Sequence, residues 1–352
     1  MKEKNYLQWL SEETQTKWWH DSAIPDEISE ALANGALGVT TNPVLTYRTL
    51  QLRPGYWKSM IKDIREDLEP DMRAESFLKI IACHVAEMLI PIYKNSNGKD
   101  GYALGQLDPT KAGDAEGMYA MAKRIHQWSP NIAIKLPSTQ AGLEVIEEIA
   151  ALGYTICATI NFSISQAIAV AESYKKGTER ASKAGITKGI CFAVQQVGRL
   201  DDYLADLAKD NQINISETDL RQAGIAVTKR SYEIFRQKRY DTRIMPAGLR
   251  GTYHLVELAG ADMTFSIHPM IQKMIIKSDL PKENRINIPV DKKVIDKLMK
   301  IPDFIRAYEP DGLTKDEFIS FGVSQRTLTQ FIETGWYPLQ TYGCKNIQPR
   351  WK

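Results

Sequence analysis

The stretch NIAIKLPSTQAGLEVIEEIAALGYTICATI, residues 131–160, consists of an apolar run, an amphipathic segment and a second apolar run. The two runs, 131–137 and 154–160, have the length and the β-branched content of buried strands. The segment between them carries apolar residues at a spacing near 3.6, which is typical of a helix with one buried face. This order of strand, helix and strand predicts a parallel sheet covered by helices.

The same alternation extends in both directions along the chain. Apolar residues fall at i, i+3, i+4 and i+7 within 118–125 and again within 164–171, so each segment is predicted to be a helix with one buried stripe. The complete set of predicted strands is WWHDS (18–22), GALGVTT (35–41), GYALGQLD (101–108), NIAIKLP (131–137), YTICATI (154–160), KGICFAV (188–194), TRIMPAG (242–248) and ADMTFSI (261–267).

Eight strands joined by helical crossovers predict an α/β fold, a (β/α)8 TIM barrel with extra helices. An open, doubly wound sheet has the same local pattern, and periodicity alone does not separate the two. The length of 352 residues suits one barrel. We therefore expect a single domain over 1–352, with a helical insertion at about 51–95 and a helical C-terminal extension at about 291–352.

The composition is that of an ordinary globular protein, with 43% hydrophobic and 25% charged residues. A net charge of +2 does not favour a nucleic-acid or membrane partner. The four cysteines include no C-x-x-C pair, so we expect reduced thiols in the core. The first residues contain no apolar run of the length of a signal peptide, and we found no uncharged stretch of ~20 residues, so we expect a cytoplasmic protein.

Several familiar motifs are missing from the sequence: G-x-G-x-x-G after a strand, the P-loop, H-E-x-x-H and G-x-S-x-G. The five histidines are not spaced as a metal cluster. These observations disfavour dinucleotide, nucleotide, zinc-peptidase and serine-hydrolase functions. We expect neither a metal nor an organic cofactor.

Lys135 is the most informative single residue, because it lies in an apolar strand that ends at Pro137. A lysine near the carboxyl end of a barrel strand lies where barrel active sites are built. Burial lowers the pKa of such an amine and prepares it to attack a carbonyl carbon. The alternative is a lysine that buries only its stem and extends its ammonium into water.

Hydroxyl, amide and carboxyl groups follow the first two predicted strands. In GVTTNP (38–43), Thr40 and Asn42 would offer hydrogen bonds to a ligand, although the pattern is also typical of a simple turn. Asp21 ends the first strand. A carboxylate there would act as an acid or base on a bound polyol, or would cap a helix that begins near Pro25.

Arginines follow two of the later strands, Arg199 in VGRLDD and Arg250 in AGLRG. A guanidinium at such a strand end suits a phosphate, assisted by the N-terminal amides of the helix that follows. A single arginine is more often a solvated or paired surface residue. The prediction of an anion site therefore depends on having two at equivalent strand ends.

These motifs together resemble the transaldolase family. GVTTNP, NIAIKLPSTQAG, ATINFSISQA, VGRLDD and AGLRGTYHLVELAGAD occur in the family's order and approximate spacing, over roughly residues 16–275. The stretch FISFGVSQRTLTQFIETGW (318–336) resembles the family's C-terminal helix. The resemblance implies a (β/α)8 barrel that works through a lysine Schiff base.

The resemblance also implies roles for individual residues. It makes Lys135 the Schiff-base lysine and Asp21 the acid/base residue, with a water held by Gln106 and Thr159. It makes Thr40 and Asn42 substrate-binding residues. Arg199 and Arg250 become the phosphate-binding arginines.

Four positions depart from the family pattern. Gln106 stands where transaldolases have a glutamate, and a glutamine there resembles the fructose-6-phosphate aldolases of the same group. Gln196 stands where the two branches have phenylalanine or tyrosine. Cys157 replaces an asparagine that contacts the substrate, and Gly248 replaces a serine that helps to bind phosphate. We therefore expect an altered substrate with the imine chemistry retained.

The resemblance implies a transferase of carbohydrate metabolism, of the kind found in the pentose phosphate pathway. It would move a dihydroxyacetone unit from a ketose phosphate, such as fructose 6-phosphate, to an aldehyde. The alternatives are a lyase that releases dihydroxyacetone and a catalytically impaired paralogue that only binds the sugar phosphate. A sulfonate or carboxylate in place of the phosphate, and a homo-oligomeric state, are left open.

Overall fold

The computed structural model of the protein describes residues 4–344. Its centre is one sheet of eight parallel strands in the order β7-β6-β5-β4-β3-β2-β1-β8. A bridge between Ile244 and Met263 joins β7 to β8 and completes the ring. The strands are β1 (Lys17–His20), β2 (Gly38–Val39), β3 (Tyr102–Gln106), β4 (Ile132–Pro137), β5 (Ile156–Thr159), β6 (Cys191–Gln195), β7 (Arg243–Pro246) and β8 (Thr264–Ile267).

The (β/α)8 barrel predicted from the sequence is confirmed, and every predicted strand segment overlaps an observed strand. Each of the strands up to β7 lies beside its neighbour in sequence, as the repeated crossover connections require. The alternative of an open sheet is wrong, because β7 and β8 contact each other at the point where an open sheet would have two free edges.

The helices surround the barrel and follow it at its C-terminal end. They are α1 (Tyr6–Glu13), α2 (Pro25–Ala33), α3 (Pro43–Leu52), α4 (Pro54–Ile61), α5 (Pro70–Asn95), α6 (Ala115–His126), α7 (Gln140–Ala151), α8 (Ile164–Lys183), α9 (Val197–Asp210), α10 (Glu217–Leu220), α11 (Ala223–Lys238), α12 (Thr252–Leu258), α13 (Pro269–Lys277), α14 (Lys292–Leu298), α15 (Pro302–Tyr308), α16 (Gly322–Phe331) and α17 (Tyr337–Thr341).

Local sequence explains where many helices begin. Proline stands at the first position of α2, α3 and α13, where its missing N–H costs nothing. Side-chain oxygens of Asp114, Thr139 and Ser163 accept backbone N–H groups at the start of α6, α7 and α8. The predicted stripe of α6 is buried throughout, whereas Ile168 in the stripe of α8 is only partly buried.

The interior of the barrel has its own apolar cluster, separate from the layer between strands and helices. Trp19 lies at its centre, with ring centroids 4.8 Å from Phe192 and 6.5 Å from Tyr102. The next inward positions toward the carboxyl ends of the strands are polar, including Gln106 and Lys135. The aromatic rings fill the body of the barrel, so a ligand enters at the carboxyl end.

The segment between β2 and β3 lies on the outside of the barrel. α5 packs against β3 and α17 and has ten buried residues. By length and composition alone α5 could cross a membrane. A helix that packs against a barrel passes the same test, so α5 is weak support for a membrane span.

The C-terminal helices return to the mouth of the barrel. α16 is followed by a π-helical turn over Ile332–Trp336, and Phe331, the last residue of α16, reaches the cavity described below. Residues 345–352 of the predicted extension lie outside the described part of the chain. The division into one domain with an insertion and an extension stays a prediction.

The cysteines have free thiols, as expected, but only two of them are core residues. Cys157 and Cys191 are buried, whereas Cys83 and Cys344 are partly exposed. Cys83 lies on α5 and Cys344 follows α17. The expectation of four core thiols is therefore wrong for the two cysteines that lie outside the barrel strands.

Candidate active site at the carboxyl end of the barrel

A cavity of about 450 Å³ opens at the carboxyl ends of the strands. Its volume falls within the range of small-molecule sites. Of the residues predicted for the site, it is lined by Asp21, Thr40, Asn42, Lys135, Cys157, Thr159, Gln196, Arg199, Gly248 and Arg250. The remaining predicted residue, Gln106, is buried beside the cavity and is not among its lining residues.

Lys135 lies in β4 and is only 7% exposed. Its Nζ donates to the backbone oxygen of Thr41 at 3.2 Å, and no carboxylate in residues 4–344 lies within ion-pair distance of it. Burial lowers the pKa of Lys135, against the opposing effects of Cys157 and Asp21. The amine is buried together with its stem, so the alternative of a lysine reaching into water does not hold.

Asp21 ends a short chain of hydroxyl groups. Thr40 Oγ1 donates to Asp21 Oδ1 at 2.6 Å. Thr40 Oγ1 lies 2.7 Å from Ser266 Oγ, which therefore acts as the donor in that pair. The cap of α2 is Ile24, so Asp21 is not the helix cap that the sequence allowed. Its second carboxylate oxygen is left to accept a proton or a hydrogen bond from a ligand.

Two glutamines lie around Lys135 and Thr159. Gln106 is paired with Lys135 across β3 and β4, and its Oε1 is buried without a partner among the described residues. Gln196 Nε2 donates to Thr159 Oγ1 at 3.0 Å, while its Oε1 also has no partner there. Buried acceptors without partners are uncommon in folded proteins. They are suited to the hydroxyl groups of a ligand or to ordered water.

The two predicted arginines differ in their surroundings. Arg199 is partly buried, donates to Gln330 Oε1 and lies 5.5 Å from the ring centroid of Phe331. Burial and the charge of Arg250 lower the pKa of Arg199 to about 10, so it remains a cation at neutral pH. Arg250 is exposed and forms an ion pair of 2.7 Å with Asp202. The positive charge of Arg199 is therefore less neutralised than that of Arg250, which has a carboxylate partner.

A buried histidine supports the loop that carries Arg250. His254 Nδ1 accepts the backbone N–H of Arg250 at 3.2 Å, so the ring proton is on Nε2, which donates to Asp201 Oδ2 at 2.8 Å. Asp201 also accepts the backbone N–H of Gly224 at 2.8 Å. Burial raises the pKa of Asp201. The arrangement fixes the loop after β7 against α9 and α11.

The profile of the family described as Transaldolase/Fructose-6-phosphate aldolase matches residues 18–322. The chain belongs to this family. The recognition made from the sequence motifs is confirmed, and the match extends beyond residue 275, where the motif resemblance ended.

Individual members of the transaldolase family agree with this assignment. The transaldolase of Thiobacillus denitrificans is 30% identical over 224 residues, which cover 61% of this chain and 60% of that protein. Transaldolase 1 of Streptomyces avermitilis is 29% identical, covering 69% and 67% of the two chains. The match thus spans about 60 to 67% of the length of these two relatives. The similarities support an enzyme of the transaldolase family.

Sequence reasoning missed several residues that line the cavity of this family member. Arg48 on α3, His268 after β8 and Phe331 on α16 all contribute to its wall. The end of β8 was predicted, so His268 could have been found by the same rule that selected Asp21. No local signal marks Phe331, because its place at the mouth results from the packing of the C-terminal helices.

Within residues 4–344, no three or more His, Cys, Asp or Glu side chains are grouped so as to hold a metal ion.

Proposed function

We propose that this transaldolase family member transfers a dihydroxyacetone unit from a ketose phosphate, such as fructose 6-phosphate, to an aldehyde through a Schiff base on Lys135. The observation that carries the proposal is the buried amine of Lys135, which has a lowered pKa and no carboxylate partner among the described residues. Such an amine is prepared for attack on a carbonyl carbon. We further propose that the chain forms one domain and acts in the cytoplasm. Its reaction would belong to carbohydrate metabolism of the kind found in the pentose phosphate pathway.

The chemistry begins with the neutral amine of Lys135. It attacks C2 of the ketose, and loss of water gives an iminium ion. Asp21 then takes the proton of the C4 hydroxyl while the C3–C4 bond breaks, and the electron pair moves to the iminium nitrogen. The aldehyde phosphate leaves. The dihydroxyacetone unit remains on Lys135 as an enamine, which attacks the acceptor aldehyde before hydrolysis frees the product.

Arg199 and Arg250 bind the distal phosphate in this proposal. Their position after β6 and β7 holds the far end of the sugar and so sets which hydroxyl meets Asp21. A sulfonate or a carboxylate in place of the phosphate remains an alternative, because a guanidinium binds all three.

A lyase that releases dihydroxyacetone is the second candidate function. The observation that favours it is Gln106, whose amide is buried next to Lys135. An amide cannot ionise and cannot relay a proton as a glutamate does. In this case the enamine takes a proton from solvent and water releases the three-carbon unit without an acceptor.

The test is intact-mass spectrometry after incubation with fructose 6-phosphate and borohydride, followed by peptide mapping. We expect a reduced three-carbon adduct on Lys135. An adduct elsewhere contradicts the assignment of the lysine. Protection against heat by the sugar without any adduct indicates a binding paralogue, and adding or omitting an acceptor aldehyde separates the transferase from the lyase.

A further inference from the structure

Three polar groups that the family resemblance leaves unexplained, or explains in part, share one wall of the cavity. Arg48 on α3, His268 at the start of α13 and Asn42 at the start of α3 all line it. Among the described residues that line the cavity, Asp21 alone is acidic, against the guanidinium groups of Arg48, Arg199 and Arg250 and the amine of Lys135. Arg48 is therefore a cation beyond the two arginines proposed to bind the distal phosphate.

The α3 part of this wall lies across the mouth from Arg199, whereas His268 follows β8, next to the strand β7 that Arg250 follows. α3 follows β2, whereas Arg199 follows β6. In the ring of eight strands β2 and β6 are separated by β3, β4 and β5, which places them on opposite sides. Lys135, on β4, stands between the two sides. A ligand bound to Lys135 thus has positive groups at both of its ends.

The free groups on this wall are all donors. Asn42 Oδ1 accepts the backbone N–H of Leu45 at 2.9 Å, and its amide N–H groups have no partner within residues 4–344. His268 Nδ1 accepts the backbone N–H of Met270 at 3.2 Å, so its proton is on Nε2. Arg48 is exposed, forms no ion pair within residues 4–344 and has no acceptor capacity.

Three charged groups act on His268 from the neighbouring elements. Burial lowers its pKa first of all, Asp21 and Glu27 raise it, and Arg48 lowers it. Arg48 and His268 both line the cavity. The ring thus offers an N–H donor in a cavity wall that also contains the guanidinium of Arg48, and such donors bind phosphate oxygens.

We propose that Asn42, Arg48 and His268 form a second anion subsite that binds a phosphate on the C1 oxygen of the ketose. The substrate class is then the ketose bisphosphates, and the unit held on Lys135 is dihydroxyacetone phosphate. The inference rests on the proposed function, because attack of Lys135 at C2 directs C1 away from the distal phosphate and toward α3. The bond that breaks is still C3–C4.

A phosphate ester fits this wall better than a carboxylate on C2. A carboxylate would lie one bond from the carbon attacked by Lys135. The guanidinium of Arg48 instead lies on an exposed turn of α3, one turn beyond Val44, which also lines the cavity. A phosphate on the C1 oxygen extends farther from C2 and has three terminal oxygens to accept the available donors.

The experiment compares two ketones that need no bond cleavage. Dihydroxyacetone and dihydroxyacetone phosphate are each titrated against the full-length protein, trapped with borohydride and measured as adducts on Lys135 by mass spectrometry. We expect dihydroxyacetone phosphate to half-saturate the protein at a concentration about 10- to 100-fold lower. In Arg48→Gln this ratio should fall toward one, and Arg48→Lys should recover part of it.

The matched control is Arg53→Gln, because Arg53 is an exposed arginine that follows α3, pairs with Asp26 and lies outside the cavity. It should keep the wild-type ratio. Equal trapping of the two ketones by the wild type, or an unchanged ratio in Arg48→Gln, overturns the subsite. Absence of any adduct on Lys135 with both ketones contradicts the proposed function itself.

Discussion

The barrel-end cavity and a second cleft on the protein surface differ in how their charged groups are paired. The surface cleft lies between α11 and the segment 286–308, and its volume of about 730 Å³ exceeds the 450 Å³ of the barrel-end cavity. Each contains a lysine whose pKa is lowered by burial, Lys229 in the surface cleft and Lys135 in the barrel.

Two cations of the surface cleft, Lys229 and Arg230, have carboxylate partners within the protein. Lys229 donates to the carboxylate of Glu257 at 3.4 Å and to the backbone oxygen of Arg285 at 3.2 Å. Arg230 pairs with Glu309 at 3.0 Å and lies over the ring of Tyr308. Neither the size of a cleft nor a lowered lysine pKa marks an active site. The distinguishing feature of the barrel-end cavity is that some of its polar groups, such as Gln196 Oε1, have no hydrogen-bond partner among the described residues.

The sharpest test of this comparison exchanges each lysine for methionine. Lys135→Met should lower turnover by roughly 10⁴-fold or more and abolish the borohydride adduct, because no other amine replaces the nucleophile. Lys229→Met should keep both activity and adduct while lowering the free energy of unfolding, because Glu257 loses a buried partner. Steady-state kinetics and denaturant unfolding measure the two effects. Loss of the adduct in Lys229→Met would break the comparison.

A second pair of variants applies the same test to the arginines. Arg199→Gln should raise KM for a ketose phosphate by about 10- to 100-fold, since a charge-assisted contact to the phosphate is lost. Arg230→Gln in the surface cleft should leave KM unchanged, because Arg230 already has Glu309 as its partner. An equal KM in wild type and Arg199→Gln would mean that the distal anion binds elsewhere.

The variant Gln106→Glu tests whether the residue next to Lys135 decides between transfer and release. A carboxylate next to Lys135 can relay a proton, so the ratio of transfer to release should rise by on the order of 10-fold. Product analysis with and without an acceptor aldehyde gives the ratio. Gln195→Glu is the matched control, because Gln195 is a buried glutamine on β6 that faces the helices, where it donates to Ser231 at 2.7 Å. A similar rise of the transfer-to-release ratio in Gln195→Glu would mean that a buried negative charge alone causes the effect.

The smallest expected effect is on stability. Because the pKa of Lys135 in the folded protein lies below its usual value near 10.4, the unfolded chain binds more protons between the two values. Between these two pKa values the wild type should gain stability relative to Lys135→Met as pH rises. Below the folded pKa both states are protonated and no gain is present. Denaturant unfolding of both proteins at several pH values measures this gain. A difference in the free energy of unfolding that does not change with pH would contradict the lowered pKa.

The sequence predicts the fold well because the barrel is built from local repeats. Each strand and helix carries its own periodicity, and the motif around Lys135 has a residue type that is uncommon in buried strands. Closure of the ring could not be predicted from periodicity. It depends on the backbone bridge between Ile244 and Met263, which joins β7 to β8.

The candidate site was predicted only where its residues lie in strands or soon after them. Arg48 lies on a helix whose sequence indicates an ordinary exposed position, and its place at the cavity depends on how α3 is oriented after β2. Gln330 and Phe331 come from the last part of the chain, far from any strand. Long-range packing of this kind leaves no periodic trace in the sequence.

The position of Phe331 also affects when, during its synthesis, the protein becomes able to bind a ligand. The last barrel strand ends at Ile267, yet the wall against Arg199 is completed only by Gln330 and Phe331. At about 5–20 residues per second, the ribosome takes several seconds to add the residues between them. In a nascent chain with every barrel strand formed, Gln330 and Phe331 would not yet contact Arg199. Ligand binding would begin only once the final helices have packed against the barrel.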